Sequence, residues 1–130
     1  MIRTLFLALA MIMLAGCANK VILPKFSEVK GTVSLPDGSP LPVGRLELHI
    51  VQGQDTEPFG DIVDGKFTII GAIPGKYKVQ IALMDYRDPS GSPVPIENPA
   101  VNPRYTKKAD TPLEIEIKEG LNDFNLKLEN

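Results

Sequence analysis

Tryptophan is absent from this 130-residue chain, and cysteine and histidine occur once each. A single cysteine cannot form a disulfide within the chain, so stability must come from an apolar core. A single histidine, His49, cannot build a histidine-rich metal centre, and a histidine-assisted nucleophile would need partners that the sequence does not supply. Basic residues are not in excess: 14 Lys and Arg stand against 16 Asp and Glu, a formal charge of −2. Nucleic acid, which is bound through clustered Lys and Arg, is therefore not an expected partner. Beyond residue 16 no long apolar run occurs and no segment carries an apolar stripe of period 3.6, so no helix is predicted there. Aromatic residues make up 6% of the chain, which leaves few rings for stacking against a sugar.

The chain opens with one basic residue, Arg3, then an uncharged apolar segment from Leu5 to Leu14, then small residues. That is the layout of a secretory signal. It is too short to cross a bilayer, which takes roughly 20 apolar residues. Leu14-Ala15-Gly16-Cys17 resembles a bacterial lipobox, at which a prolipoprotein is acylated on cysteine and cut just before it. The resemblance implies a signal peptide over 1–16, lipid on Cys17, and the membrane as a partner through that lipid. Two or more acyl chains on one residue anchor stably. Ala18 stands where Asp often retains such proteins in the inner membrane, which favours the outer membrane, facing the periplasm or the exterior. The alternative reading is a chance cysteine in an ordinary cleavable signal cut near Ala18.

Residues 17–27 read as the lipidated cysteine and a short tether, and 28–130 as one domain, since the length suits one and not two. The domain is written in period two. Val29, Gly31, Val33 and Leu35 alternate with Lys30, Thr32 and Ser34, and Leu46, Leu48 and Ile50 alternate with Arg45, Glu47 and His49. Strands over Phe59–Val63 and Lys66–Ile70 meet across Asp64-Gly65, a favoured two-residue hairpin turn. Ile73-Pro74-Gly75 reads as a tight turn into a strand with Tyr77, Val79, Ile81 and Leu83 on one face. Leu113, Ile115 and Ile117, then Phe124, Leu126 and Leu128, mark two final strands. Seven short strands with turns between them predict an antiparallel sandwich.

Three stretches carry a family resemblance: Val29-Lys30-Gly31-Thr32-Val33, Asp64-Gly65-Lys66-Phe67-Thr68-Ile69, and Ile73-Pro74-Gly75-Lys76-Tyr77-Lys78-Val79. Together they resemble the carboxypeptidase-regulatory-like (transthyretin-like) family, and the whole chain is similar to small bacterial lipoproteins built on that domain. The resemblance implies a seven-stranded antiparallel Greek-key β-sandwich and a non-enzymatic structural or protein-interaction role in the cell envelope. The hydroxyisourate hydrolases of this fold use several His and Arg residues and end Tyr-Arg-Gly-Ser, whereas this chain ends Leu128-Glu129-Asn130.

No catalytic residue, cofactor or metal site is expected. His49 reads as a solvated residue on an outward strand face. Asp61, Asp64, Asp85 and Asp88 lack EF-hand spacing and read as loop or surface carboxylates. Lys30 and Asn125 lie on suitable strands for an isopeptide bond but face outward. The segment Tyr86–Pro112 holds six of the twelve prolines and is longer than most loops of compact domains. It reads first as a stiffened crossover packed by Ile96, Val101 and Tyr105. As a binding loop it would use Tyr86, Arg87, Arg104 and Tyr105, residue types enriched at binding hot spots, toward an envelope protein, a glycan or a small ligand.

Overall fold

The computed structural model describes residues 26–52 and 56–130. The chain is all-β, with nine strands and one 3₁₀ turn, Pro103–Thr106, among the described residues. The strands are β1 (Ser27–Ser34), β2 (Val43–Gln52), β3 (Phe59–Val63), β4 (Lys66–Ala72), β5 (Gly75–Ala82), β6 (Met84–Asp85), β7 (Val94–Pro95), β8 (Glu114–Ile117) and β9 (Leu121–Lys127). Seven of them form one sheet in the order β8-β5-β2-β3-β4-β1-β9, while β6 and β7 pair separately.

The two ends of that order are consecutive in the chain, β8 leading into β9 through Lys118–Gly120. The sheet therefore curls until its edges approach, giving a nearly barrel-shaped body. Ser27 Oγ donates to the Lys118 carbonyl at 2.7 Å and Glu28 N to the Gly120 carbonyl at 3.0 Å, which fixes the turn against the start of β1.

The expected antiparallel arrangement needs one correction: β1 and β9 run parallel, from Glu28 beside Leu121 to Ser34 beside Lys127. The sheet is mixed. A period-two pattern fixes which face is buried but not the direction of the neighbouring strand.

The alternation holds strand by strand. Val29, Val33, Leu46, Leu48, Ile62, Tyr77, Val79 and Ile81 are fully buried, and Phe67, Ile69, Ile115 and Ile117 nearly so. Gly31 takes its place in β1 because a Cβ there would lie 2.7 Å from the Phe67 ring and closer still to the Phe124 carbonyl oxygen. At the β3–β4 hairpin Asp64 and Gly65 have φ of 50° and 74°, the two left-handed residues that a type I′ turn requires. Ile73-Pro74-Gly75 forms a bend rather than a closed turn, with Gly75 already the first residue of β5. Tyr77 closes it, its hydroxyl donating to the Ile73 carbonyl while its ring fills the core.

Register gives the body two ends. β1, β5 and β9 start, and β2, β4 and β8 finish, at what we call the lower end; the β3–β4 hairpin and the exit of β5 lie at the upper end.

Candidate functional site

Beyond β5 the chain makes the crossover to β8 at the upper end and along the β5 edge. Ile96 N donates to the Leu83 carbonyl at 3.0 Å, and β6 pairs with β7, which draws the first half of the crossover into a short ribbon. The second half is held by side chains that stand in for backbone. Asn98 Oδ1 accepts from Ala100 N at 3.1 Å, and Asn102 Oδ1 caps the 3₁₀ turn by accepting from Arg104 N at 3.0 Å. Both asparagines precede a proline, which supplies fixed φ and no competing donor. Thr111, buried, donates from its hydroxyl to the Val79 carbonyl at 2.7 Å and returns the chain to the sheet.

Val101 and Tyr105 turn inward, 4% and 1% exposed. The Tyr105 hydroxyl accepts from Glu129 N at 2.8 Å and from Arg104 Nη2 at 3.1 Å, so the crossover is tied to the end of the chain beyond β9. Of the three residues expected from sequence to pack the crossover, Val101 and Tyr105 join the core, whereas Ile96 is only half-buried and faces a groove.

A groove of about 510 Å³ opens on this crossover, walled by Leu83, Ile96, Pro99, Val101 and Pro103, with Glu97, Asn98 and Thr106 at its polar margin. A second hollow of about 450 Å³ shares Leu83 and Thr106 with it and continues past Gln80, Met84 and Tyr86 to Glu47. The first part is mainly apolar; the second is mixed.

The four residues singled out from sequence do not converge there. Tyr86 lines the second hollow, but its ring is covered by the Arg45 guanidinium, 3.4 Å from the ring centroid. Arg45 also lies 4.2 Å from the Phe59 centroid and bonds Asp61 at 2.9 Å, a cation held between two rings. Arg87 is exposed and turned back on Asp85 through two hydrogen bonds of 2.9 Å. Those bonds, with one from Arg87 N, hold the Asp85 carboxyl down at about 2, and the same contact raises the Arg87 guanidinium. Arg104 bonds Tyr105 and, at 3.3 Å, the Asn130 carbonyl; its Nε is buried with no hydrogen-bond partner among the described residues. Tyr105 belongs to the core, which removes it as a binding platform. Cys17 lies outside the described residues.

His49 also departs from expectation. It is on the outward face of β2 but covered, its side chain 12% exposed. Nε2 lies 2.7 Å from Gln80 Oε1, Gln80 Nε2 donates to the Thr106 carbonyl, and Nδ1 stands 3.5 Å from Glu57. Its neighbours, Gln80 on β5 and Glu57 ahead of β3, come from other segments, which no local pattern around His49 announces. Three of the four aspartates are engaged: Asp61 with Arg45, Asp85 with Arg87, and Asp88 with Ser90 N at 2.8 Å, which lowers the Asp88 carboxyl, while Asp64 serves the hairpin turn through its backbone. Among the described residues no three His, Cys, Asp or Glu side chains are grouped to hold a metal ion. Lys30 and Asn125 are both exposed, and Asn125 Oδ1 accepts from the Thr32 hydroxyl. No helix among the described residues is long and apolar enough to cross a membrane.

What sequence reasoning missed is the apolar groove wall. The two Asn-Pro pairs at 98–99 and 102–103, spaced around Val101, are the signal that marks it as ordered.

No family model matches the chain, and no curated protein matches it. Among solved structures it is similar to a DUF3823 family protein from Bacteroides uniformis, at 15% identity and a TM-score of 0.42, over 80% of this chain and 42% of that one. It is also similar to a 9R-lipoxygenase from Cyanothece, at 16% identity and a TM-score of 0.40, over 82% of this chain and 16% of that one. The chain thus spans less than half the length of either protein.

Proposed function

We propose that this chain is an exported lipoprotein, anchored through acylated Cys17 in the outer membrane, whose β domain is a non-enzymatic module that binds another envelope protein. The observation that carries the recognition half is the groove over Leu83, Ile96, Pro99, Val101 and Pro103. Apolar walls on a crossover stiffened by proline and side-chain caps suit the apolar side chains of a protein partner and lose little order on binding. A glycan is the weaker fit, because sugar binding favours an open aromatic face. Tyr86 lies against Arg45 and Tyr105 is buried. Anchoring is supported by Arg3, the apolar Leu5–Leu14 segment and Leu14-Ala15-Gly16-Cys17 standing in the right order.

The same proposal takes the body as a transthyretin-like Greek-key sandwich, with β8-β5-β2-β3 and β4-β1-β9 as its layers. What supports this is that β3 and β4 share one ladder pair, Val63 with Lys66, so the sheet has a natural fold line there. Layers about 10 Å apart in an experimental structure would bear it out, and an evenly round barrel would reject it.

Two measurements test the function. A fatty-acid analogue should label the parent chain and not Cys17→Ala; an unlabelled parent overturns the anchor. Cross-linking in intact cells should give a discrete protein adduct that Ile96→Asp abolishes while the variant still folds. An adduct retained by that variant places recognition elsewhere.

A further inference from the structure

Seven large apolar side chains are exposed among the described residues, and four of them, Phe26, Val51, Ile70 and Leu121, lie at the lower end. Singly exposed apolar residues need no explanation, but a cluster at one end does. Ile70 and Leu121 are 83% and 82% exposed, and they flank Glu28 from the neighbouring strands β4 and β9. The next row across the same three strands is Thr68, Lys30 and Asp123, and the one after it Lys66, Thr32 and Asn125. The outer face thus changes from apolar to polar within one row of the lower end. Phe26, 63% exposed, immediately precedes β1, and Val51 sits at the irregularity near the end of β2.

We infer that this end of the domain rests on the bilayer that holds the acyl chains of Cys17, which rests on the lipoprotein reading above. The chain itself names the occupant. Phe26 is nine residues after Cys17, a distance of at most about 30 Å when extended, so the apolar end is the part of the domain that the anchor brings to the membrane. The intervening sequence is not a polar spacer: Val21, Ile22 and Leu23 stand between Lys20 and Lys25, a composition suited to the headgroup boundary. Glu28, the carboxylate between Ile70 and Leu121, is paired with Lys30 Nζ at 3.2 Å, which lowers its cost of approaching lipid. Docking in this sense stands the strands upright and turns the crossover groove away from the membrane, where a partner can reach it.

The test uses the full acylated chain in vesicles of phosphatidylethanolamine and phosphatidylglycerol, some carrying a spin-labelled lipid. An environment-sensitive fluorophore is placed through Leu121→Cys or through Lys127→Cys, both exposed and at opposite ends of β9. The expected result is that the label at 121 loses most of its emission to the lipid quencher and the label at 127 keeps it. Vesicle-bound protein with neither label quenched overturns the docking and leaves the anchor standing. Equal quenching at both positions means that the domain lies on its side and also overturns it. Cross-linking between copies through position 121 without lipid quenching assigns the patch to a second copy instead. Protein that does not float with vesicles and carries an unmodified Cys17 overturns the anchor and the docking together.

Discussion

At the upper end Leu35, Leu41, Val101 and Tyr105 turn loop side chains inward and seal the interior, whereas at the lower end Phe26, Val51, Ile70 and Leu121 leave theirs in solvent. The upper loops are also dense in local ties: Asp37 takes Ser39 N at 2.9 Å, Asp88 takes Ser90 N at 2.8 Å, and Asn98 and Asn102 cap the crossover. The contrast separates two uses of apolar residues. Those of the upper end are spent on holding irregular backbone in one shape, leaving a shallow groove as the residue of that packing. Those of the lower end are half or more exposed and contribute little to holding the domain together. Exposure alone therefore marks one candidate contact, and ordered loop architecture marks the other.

The largest expected effect is at Tyr105. Truncation to Ala should cost about 3–5 kcal/mol in denaturant melts, as for other buried aromatic residues. A loss below about 0.5 kcal/mol would show that the crossover is not part of the core and would dissolve the contrast between the ends.

Arg45→Ala should cost about 1 kcal/mol, by removing the cation between Phe59 and Tyr86 together with its exposed partner Asp61. Tyr86 should then gain exposure to a quencher of tyrosine fluorescence. Unchanged Tyr86 accessibility would mean that the crossover, not Arg45, holds the ring.

At the lower end Ile70→Ser and Leu121→Ser should each change stability by no more than about 0.5 kcal/mol, since both side chains are exposed. A cost near that of Tyr105 would place these residues in a contact within the domain.

The smallest effect is on pH. Asp85, half-buried, has its carboxyl held at about 2, below the ordinary 3.8, first by the Arg87 side chain and then by Arg87 N. A depressed carboxyl adds order that is complete above about pH 4 and is lost as pH falls through 2. Carbon-detected NMR should find the Asp85 midpoint near 2 and local shifts at Arg87 following it, with the global melt little changed between pH 4 and 3. A midpoint near 4 would show that the pair does not persist in solution.

The sequence was legible where a pattern repeats locally. Alternation located the seven main strands, and Asp64-Gly65 declared its turn, because both signals lie within a few residues. Direction was not legible: Phe124, Leu126 and Leu128 read the same whether β9 runs with or against β1. Nor was cover. His49 sits at an outward position, and its neighbours Gln80 and Glu57 lie on other segments, Gln80 being held in turn by the Thr106 carbonyl far along the chain. For the candidate site, the proline-rich span coincides with the segment that walls the groove, but Tyr86, Arg87, Arg104 and Tyr105 were chosen by residue type. Their engagements with Arg45, Asp85, Asn130 and Glu129 depend on tertiary neighbours. One signal was present and easily passed over: in Ile69-Ile70 one side chain of an alternating strand must face out. It is Ile70, at the lower end beside the start of β1.

The most direct test of the division between the ends is paired photo-cross-linking in intact cells, with a photoreactive residue at Glu97 beside the groove or at Leu121 at the lower end. The account predicts a discrete protein adduct from position 97 and lipid adducts from position 121. Lipid adducts from position 97, or the same protein adduct from both positions, would contradict it.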